Sequence, residues 1–419
     1  MEKHAEKKNN LKIILLPIIL LIIVGLIFFG HKIIEPENQE NIQISENQEN
    51  LENNNSKEEN QEPEQEETPE PEQEETLEQD IFEKYYIQAE ALIENMTIEE
   101  KVGQMFLVRF PERGEIEEIE NYKPGGYILF GRDFKNETKA SITNKLAQCQ
   151  EASQIPLILG VDEEGGTVVR VSNYKAFRKS KFLSPQDLFK KGGLDAIIKD
   201  STEKTTLLKS LGLNMNLAPV ADVSTNSSDF IYKRAYGKNA EETAKYVSEV
   251  IKTMNNDGII STMKHFPGYG NNIDTHTGIA IDERPYETFE TSDFLPFKSG
   301  IDVGAPTILV SHNIVKSMDE NNPASLSTKI HSILRYDLGF SGIIMTDDLA
   351  MDAVKTYTEN GEAAVQAVLA GNDMIISSDF KTQRQEVLNA ISEGKIDEEL
   401  IDMAVRRILA CKYAYGIIK

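Results

Sequence analysis

The stretch KHFPGYGNNIDTH, Lys264 to His276, holds two of the chain's six histidines, a lysine, an aspartate and three glycine or proline breakers. It is too polar for a core strand and too broken for a helix, so it reads as a strand end running into a loop. Within it Asp274 and His276 stand two residues apart, close enough to share a hydrogen bond. A carboxylate on one ring nitrogen fixes the tautomer and stabilises imidazolium, leaving the other nitrogen to give or take a proton near neutral pH. Lys264 and His265 are donors of the kind that bind sugar hydroxyls or an amide carbonyl. An incidental surface D-x-H is the plain alternative. Metal binding by His265, Asp274, His276 and a further aspartate is another, and the adjoining Lys264 ammonium argues against a dication there. No metal and no organic cofactor is expected.

A second acidic site lies in IIMTDDLAM, Ile343 to Met351, where an apolar run delivers Asp347 and Asp348 at its end. Successive side chains of an extended chain point to opposite sides, so one acid faces a pocket and the other packs or caps. The residues alone leave open which is which. GVDEEGG offers Asp162 for bidentate hydroxyl binding, and Arg234 in IYKRAYG could reach the same ligand.

Something must hold these groups together. Eight apolar, β-rich runs begin at Gln104, Gly125, Leu157, Leu213, Ile259, Pro306, Gly342 and Asn372, with helix-like stretches between them. Continuous apolar strands separated by helices indicate parallel strands buried on both faces. Eight such repeats predict a single (β/α)₈ TIM-type barrel over 81–419, whose strand C-termini carry the active site. Asp162, Asp222, Lys264, His265, His312, Asp347 and Ser377 all fall at or just past such strand ends. No GxGxxG or GxxxxGK[ST] follows a strand, which counts against a nucleotide fold.

The first 80 residues differ in kind. Ile13 to Gly30 are eighteen uncharged, almost wholly apolar residues behind four lysines, long enough to cross a bilayer core with the N-terminus inside. Small A-x-A-type residues do not follow, so 1–34 reads as an uncleaved signal anchor rather than a cleaved signal, holding the rest at the cell membrane outside the cytoplasm. Residues 35–80 hold eighteen acids against one lysine and predict a disordered spacer. Without these two segments the net charge falls from −25 to −11, which repels phosphate backbones and makes nucleic acid an unsuitable partner. Cys149 and Cys411 are isolated and read as plain thiols.

VDEEGG, NLAPVADV, KHFPGYG with DTH, and IIMTDDLAM together resemble glycoside hydrolase family 3, in particular its β-N-acetylglucosaminidase branch, from about Met96 to the C-terminus. The resemblance implies that Asp347 is the nucleophile and His276 the general acid/base, with Asp274 as its partner. It implies sugar contacts from Asp162, Arg234, Lys264 and His265. The expected activity is retaining, exo-acting hydrolysis of terminal β-linked N-acetylglucosamine, with peptidoglycan fragments as the substrate suited to an external location. A phosphorylase or β-glucosidase on the same barrel, and a non-catalytic wall-binding module, are the alternatives. Tyr269, Asn271 and Thr167 depart from the family pattern, which commonly has histidine, aspartate and arginine there.

Overall fold

The computed structural model describes residues 80–272, 280–351, 354, 357–358 and 362–419. The anchor expected in 1–34, the spacer expected over 35–80 apart from Asp80, and Asp274 and His276 lie outside the described residues. Among the described residues no helix is long and apolar enough to cross a membrane.

Eight parallel strands form one nearly closed barrel. They are β1 (Phe106–Arg109), β2 (Gly126–Leu129), β3 (Ile158–Val161), β4 (Met215–Asn216), β5 (Ile260–Phe266), β7 (Thr307–Val310), β9 (Ile343–Thr346) and β10 (Ile375–Ser377). Around the sheet they run β10-β1-β2-β3-β4-β5-β7-β9, and a parallel bridge between Met345 and Met374 draws the two outer strands together. All eight lie inside the apolar runs expected to form them. A separate two-stranded pairing, β6 (Ile281–Asp282) with β8 (Ile314–Val315), was not legible in the hydrophobic pattern.

Burial explains the strands: nearly every residue in them is buried, as a parallel sheet covered by helices requires. The run around β4 is eleven residues long but forms a continuous ladder over only two, with a further bridge from Val220 to Lys264. Capping sets the helices. Thr97 accepts from Glu100 N while Glu100 accepts from Thr97 N, a reciprocal box that starts the helix Ile98–Gln104. Ser184 caps a helical segment, Pro185–Ser210, with proline in its first turn and a break at Gly192 and Gly193. Asn239 does the same for Ala240–Asn256.

The two ends of the barrel have different duties. At the strand N-termini Asp373 accepts from Ile344 N at 2.8 Å and pairs with Arg335 and Arg407, tying β9 to its flanking helices. Near the same end the fully buried Lys412 donates to Gln104 Oε1 at 2.8 Å. Burial pushes this ammonium down to about 7. At the strand C-termini the polar groups converge on a cavity instead.

Candidate active site

A cavity of about 340 Å³ opens at the strand C-termini, and its wall includes Asp162, Arg234, Lys264, His265, Asp347 and Asp348. Every expected site residue within the described part of the chain therefore meets in one place. Asp162 follows β3, Lys264 and His265 belong to β5, and Asp347 follows β9. In a regular strand Lys264 and His265 would face opposite sides. The pairing of β5 with β7 shifts register between Lys264 and Phe266, and both side chains line the cavity.

Lys264 is 2% exposed and its Nζ lies 2.7 Å from Asp162 Oδ1 and 2.7 Å from Glu164 Oε1. Arg234 holds Glu164 with two nitrogens, Nε to Oε2 at 3.0 Å and Nη2 to Oε1 at 2.8 Å. Burial pushes the Glu164 carboxyl up, but the two cations outweigh it and hold the group well below the usual carboxylate range. Two acids and two cations thus neutralise one another. The result is a rigid, water-poor patch of donors and acceptors suited to a polyhydroxylated ligand.

His265 is fixed from both ring nitrogens. Asp222 Oδ2 lies 2.7 Å from Nδ1, and Arg234 Nη2 lies 3.2 Å from Nε2. An arginine only donates, so Nε2 accepts and the ring proton sits on Nδ1, aimed at Asp222. Asp222 also accepts from the backbone N–H groups of His265 and Tyr269. Tyr269 sets the edge of its ring against His265, centroids 5.3 Å apart, and so braces this histidine. Thr167 is exposed, and Asn271 is exposed beyond the turn.

The two acids of the TDD stretch separate by their partners. Asp348 Oδ1 accepts from Ala350 N at 3.0 Å and Ser378 N at 3.1 Å, and Oδ2 bonds the Ser378 hydroxyl. Asp348 therefore stitches the end of β9 to the end of β10. Asp347 Oδ1 accepts from Asp348 N at 2.8 Å. His312 Nε2 lies 3.2 Å from the Asp348 carbonyl, which can only accept, and its Nδ1 meets Ser325 Oγ at 2.7 Å. Asp222, His312 and Ser377 do lie at strand ends, yet the bonds described for them go to protein partners.

Three cavity residues went unnoticed in the sequence. Arg170 Nη2 lies 3.6 Å from Asp162 Oδ2. Arg109, at the end of β1, and Phe130, just past β2, complete that wall. Arg109 and Phe130 were open to the same strand-end argument that found Lys264. Glu164 was passed over because an acid beside Asp162 looks like a solvated neighbour until its partners are seen. The glycines after it are required by space: a Cβ on Gly165, at φ +103°, would come within 2.1 Å of the Leu183 carbonyl oxygen.

Comparison with known proteins gives the family. Residues 97–411 match the glycosyl hydrolase family 3 N-terminal domain. The chain is 29% identical over 330 residues to beta-hexosaminidase A of Pseudoalteromonas piscicida, covering 72% of this chain and 55% of that protein. It is 32% identical over 271 residues to a beta-hexosaminidase of Nitrosomonas eutropha, covering 64% and 77%. A glycoside hydrolase family 3 beta-N-acetylglucosaminidase from Paenibacillus sp. str. FPU-7 superposes with a TM-score of 0.72 at 29% identity, over 77% of this chain and 63% of the other. The chain thus spans little more than half of the Pseudoalteromonas protein and under two thirds of the Paenibacillus one. With three-quarters of its length matched to one family model and its charged residues gathered at the barrel mouth, the chain belongs to glycosyl hydrolase family 3.

Proposed function

We propose that this protein is a retaining, exo-acting β-N-acetylglucosaminidase that removes terminal β-linked N-acetylglucosamine, with Asp347 as nucleophile. The observation that carries the reading is that Asp347 shares one cavity with Asp162, Arg234, Lys264 and His265. The similarity to beta-hexosaminidases and to a beta-N-acetylglucosaminidase supports the sugar. In this reading an Asp347 oxygen attacks the anomeric carbon, the glycosidic C–O bond breaks, and His276 as imidazolium gives its proton to the leaving oxygen. Water then attacks the glycosyl ester and returns a proton to His276, which frees the sugar with net retention and restores the carboxylate. Asp274 holds the imidazole in the right tautomer. The glycone hydroxyls and acetamido group are taken by the Asp162, Arg234, Lys264 and His265 set.

The apolar run 13–30 and acidic tract 35–80 support a membrane-anchored enzyme working outside the cytoplasm, with N-acetylglucosamine-containing cell-wall fragments as substrate. The test is release of nitrophenol from the β-N-acetylglucosaminide and the β-glucoside by the full chain in mild detergent, with product stereochemistry followed by proton NMR. Turnover of the acetamido sugar with a β-configured first product supports the reading. Turnover of the glucoside alone, or of neither by folded protein, would sink it.

A further inference from the structure

The net charge of −11 on the folded part is not evenly spread. Residues 171–191 hold six lysines and arginines against one acid, Asp187. This segment leaves the cavity wall just beyond Arg170, whose guanidinium carbon lies 5.7 Å from the centre of the Phe130 ring. Glu163 pins its start: fully buried, it accepts from Arg170 N and Val171 N at 2.8 Å and from Ser172 N at 3.2 Å. The far end is tied back as well, since Gly166 N donates to the Phe182 carbonyl at 3.0 Å and Phe182 N to Ser172 Oγ at 3.2 Å. Arg178 is consumed in shaping the loop. It donates to the Ser180 and Lys181 carbonyls, pairs with Glu203 at 2.9 Å and lies 4.0 Å over the Phe182 ring. Lys190 pairs with Asp187 at 3.5 Å, and with Lys191 it ends the helical piece before the break at Gly192, where the helix dipole favours cations.

Lys175, Lys179 and Lys181 have no such local reason. All three are exposed, and among the described residues no ion pair reaches them. They fall within one stretch of seven residues, so they stand at most about 20 Å apart and repel one another. The rings of the loop turn the other way: Phe177 is 4% exposed and packs on Phe134, and Phe182 is 1% exposed. No large apolar side chain of 171–191 is exposed. A surface for single-stranded nucleic acid sets aromatic rings beside its cations for bases to stack on, and a face that enters a bilayer sets out apolar side chains. This loop offers neither. Lysine meets phosphate as a point charge, whereas a planar arginine fork suits bidentate carboxylate. Three ammonium groups strung along an exposed loop follow a charged chain rather than enclose one ion. We propose that the Lys175–Lys181 loop is a docking surface for a linear phosphodiester polymer that carries no bases, holding the barrel on that polymer beside the cavity mouth. The surface takes no part in bond cleavage and does not depend on which glycoside the cavity cuts.

The test titrates the full chain, in a neutral detergent, into fluorescently labelled poly(glycerol phosphate) and follows anisotropy over a range of salt concentrations. Binding should weaken as salt is added. Lys175→Gln, Lys179→Gln and Lys181→Gln together should lower the affinity by about 10- to 100-fold and the slope of log affinity against log salt by about 2, the share of three phosphate contacts. Lys139→Gln, Lys245→Gln and Lys298→Gln remove the same charge from exposed lysines elsewhere and should change neither. Thermal melts of the three proteins should coincide, which separates a lost surface from a lost fold. No binding by the unaltered chain, or equal losses in the two triple variants, overturns the proposal. Tighter binding of a single-stranded DNA of matched length, lost in the loop variant, would assign the loop to nucleic acid instead. If phosphatidylglycerol added to the micelles displaces the polymer, the loop belongs to the bilayer and the proposal likewise falls.

Discussion

The backbone N–H of Asp348 donates to Oδ1 of Asp347 at 2.8 Å, so the peptide that joins the two acids also orients the first of them. The second spends its own oxygens on Ala350 and Ser378. Substitutions at adjacent positions should therefore fail in different ways. Asp347→Asn should lower kcat on the order of 10⁴-fold or more, as loss of a nucleophile does, with little change in melting temperature. Asp348→Ala should melt earlier by an amount equivalent to about 1 kcal/mol, since it removes the bonds that tie Ala350 and Ser378 to the end of the strand. Steady-state kinetics and calorimetry on the pair check this. Equal kinetic losses would refute the division.

Glu164 offers a pH test with a definite sign. Its carboxyl is held low by Arg234 and Lys264 against the burial that pushes it up, so the unfolded chain binds its proton more readily than the folded one. The stability it contributes is present above the unfolded value of 4.5 and is lost as pH falls toward the folded value. Glu164→Gln should cost about 3–5 kcal/mol at pH 7, because two cations are left buried without their partner. The gap between the two proteins in urea melts should narrow between pH 5 and pH 3. A gap that widens toward acid would reverse the assignment.

Lys412 has the opposite signature. A buried ammonium lowered to about 7 penalises the folded state at pH values below 7, and the penalty is relieved as pH rises from about 7 toward the ordinary lysine value of 10.5. Lys412→Met removes the charge and keeps the volume. Its melting temperature should gain most over the unaltered chain at pH 6 and least at pH 10. An identical difference at both values would show that folding does not lower this lysine's affinity for its proton.

Asn272 and Asp282 flank residues 273–279, the stretch that carries Asp274 and His276, and they are bonded directly, Nδ2 to Oδ2 at 2.7 Å. Arg284 grips Asp282 and reaches Asp293 and the Gly268 carbonyl. If His276 supplies the proton to the leaving group, loosening this tie should hurt most where that proton matters most. Asn272→Ala should lower kcat/KM for a poorly activated glycoside by about tenfold more than for a dinitrophenyl glycoside. An equal loss on both would assign the tie to folding alone.

Much of this molecule is written in its hydrophobic pattern. The eight strands announce themselves because each is buried on both faces, and Lys264, His265, Asp162 and Asp347 stand out as polar residues ending such runs. Arg234 was legible only as a cation that could reach the same ligand, since its strand is two residues long and the arginine lies well beyond it in a turn-rich segment. Glu164 and Arg170 were missed because their meaning is pairwise: each is defined by a partner tens of residues distant or by a shared ring. The β6–β8 pairing was invisible because two-residue strands carry no periodicity. The division between Asp347 and Asp348 is of the same sort, resting on Ser378, thirty residues away.

The balance of Asp162 and Glu164 against Lys264 and Arg234 has a consequence for how the site behaves in salt. A floor whose fixed charges cancel at contact distance casts little field beyond itself, and a neutral sugar approaching it has no long-range attraction to lose when ions are added. Neutral glycosides should then be captured alike in dilute and in concentrated buffer.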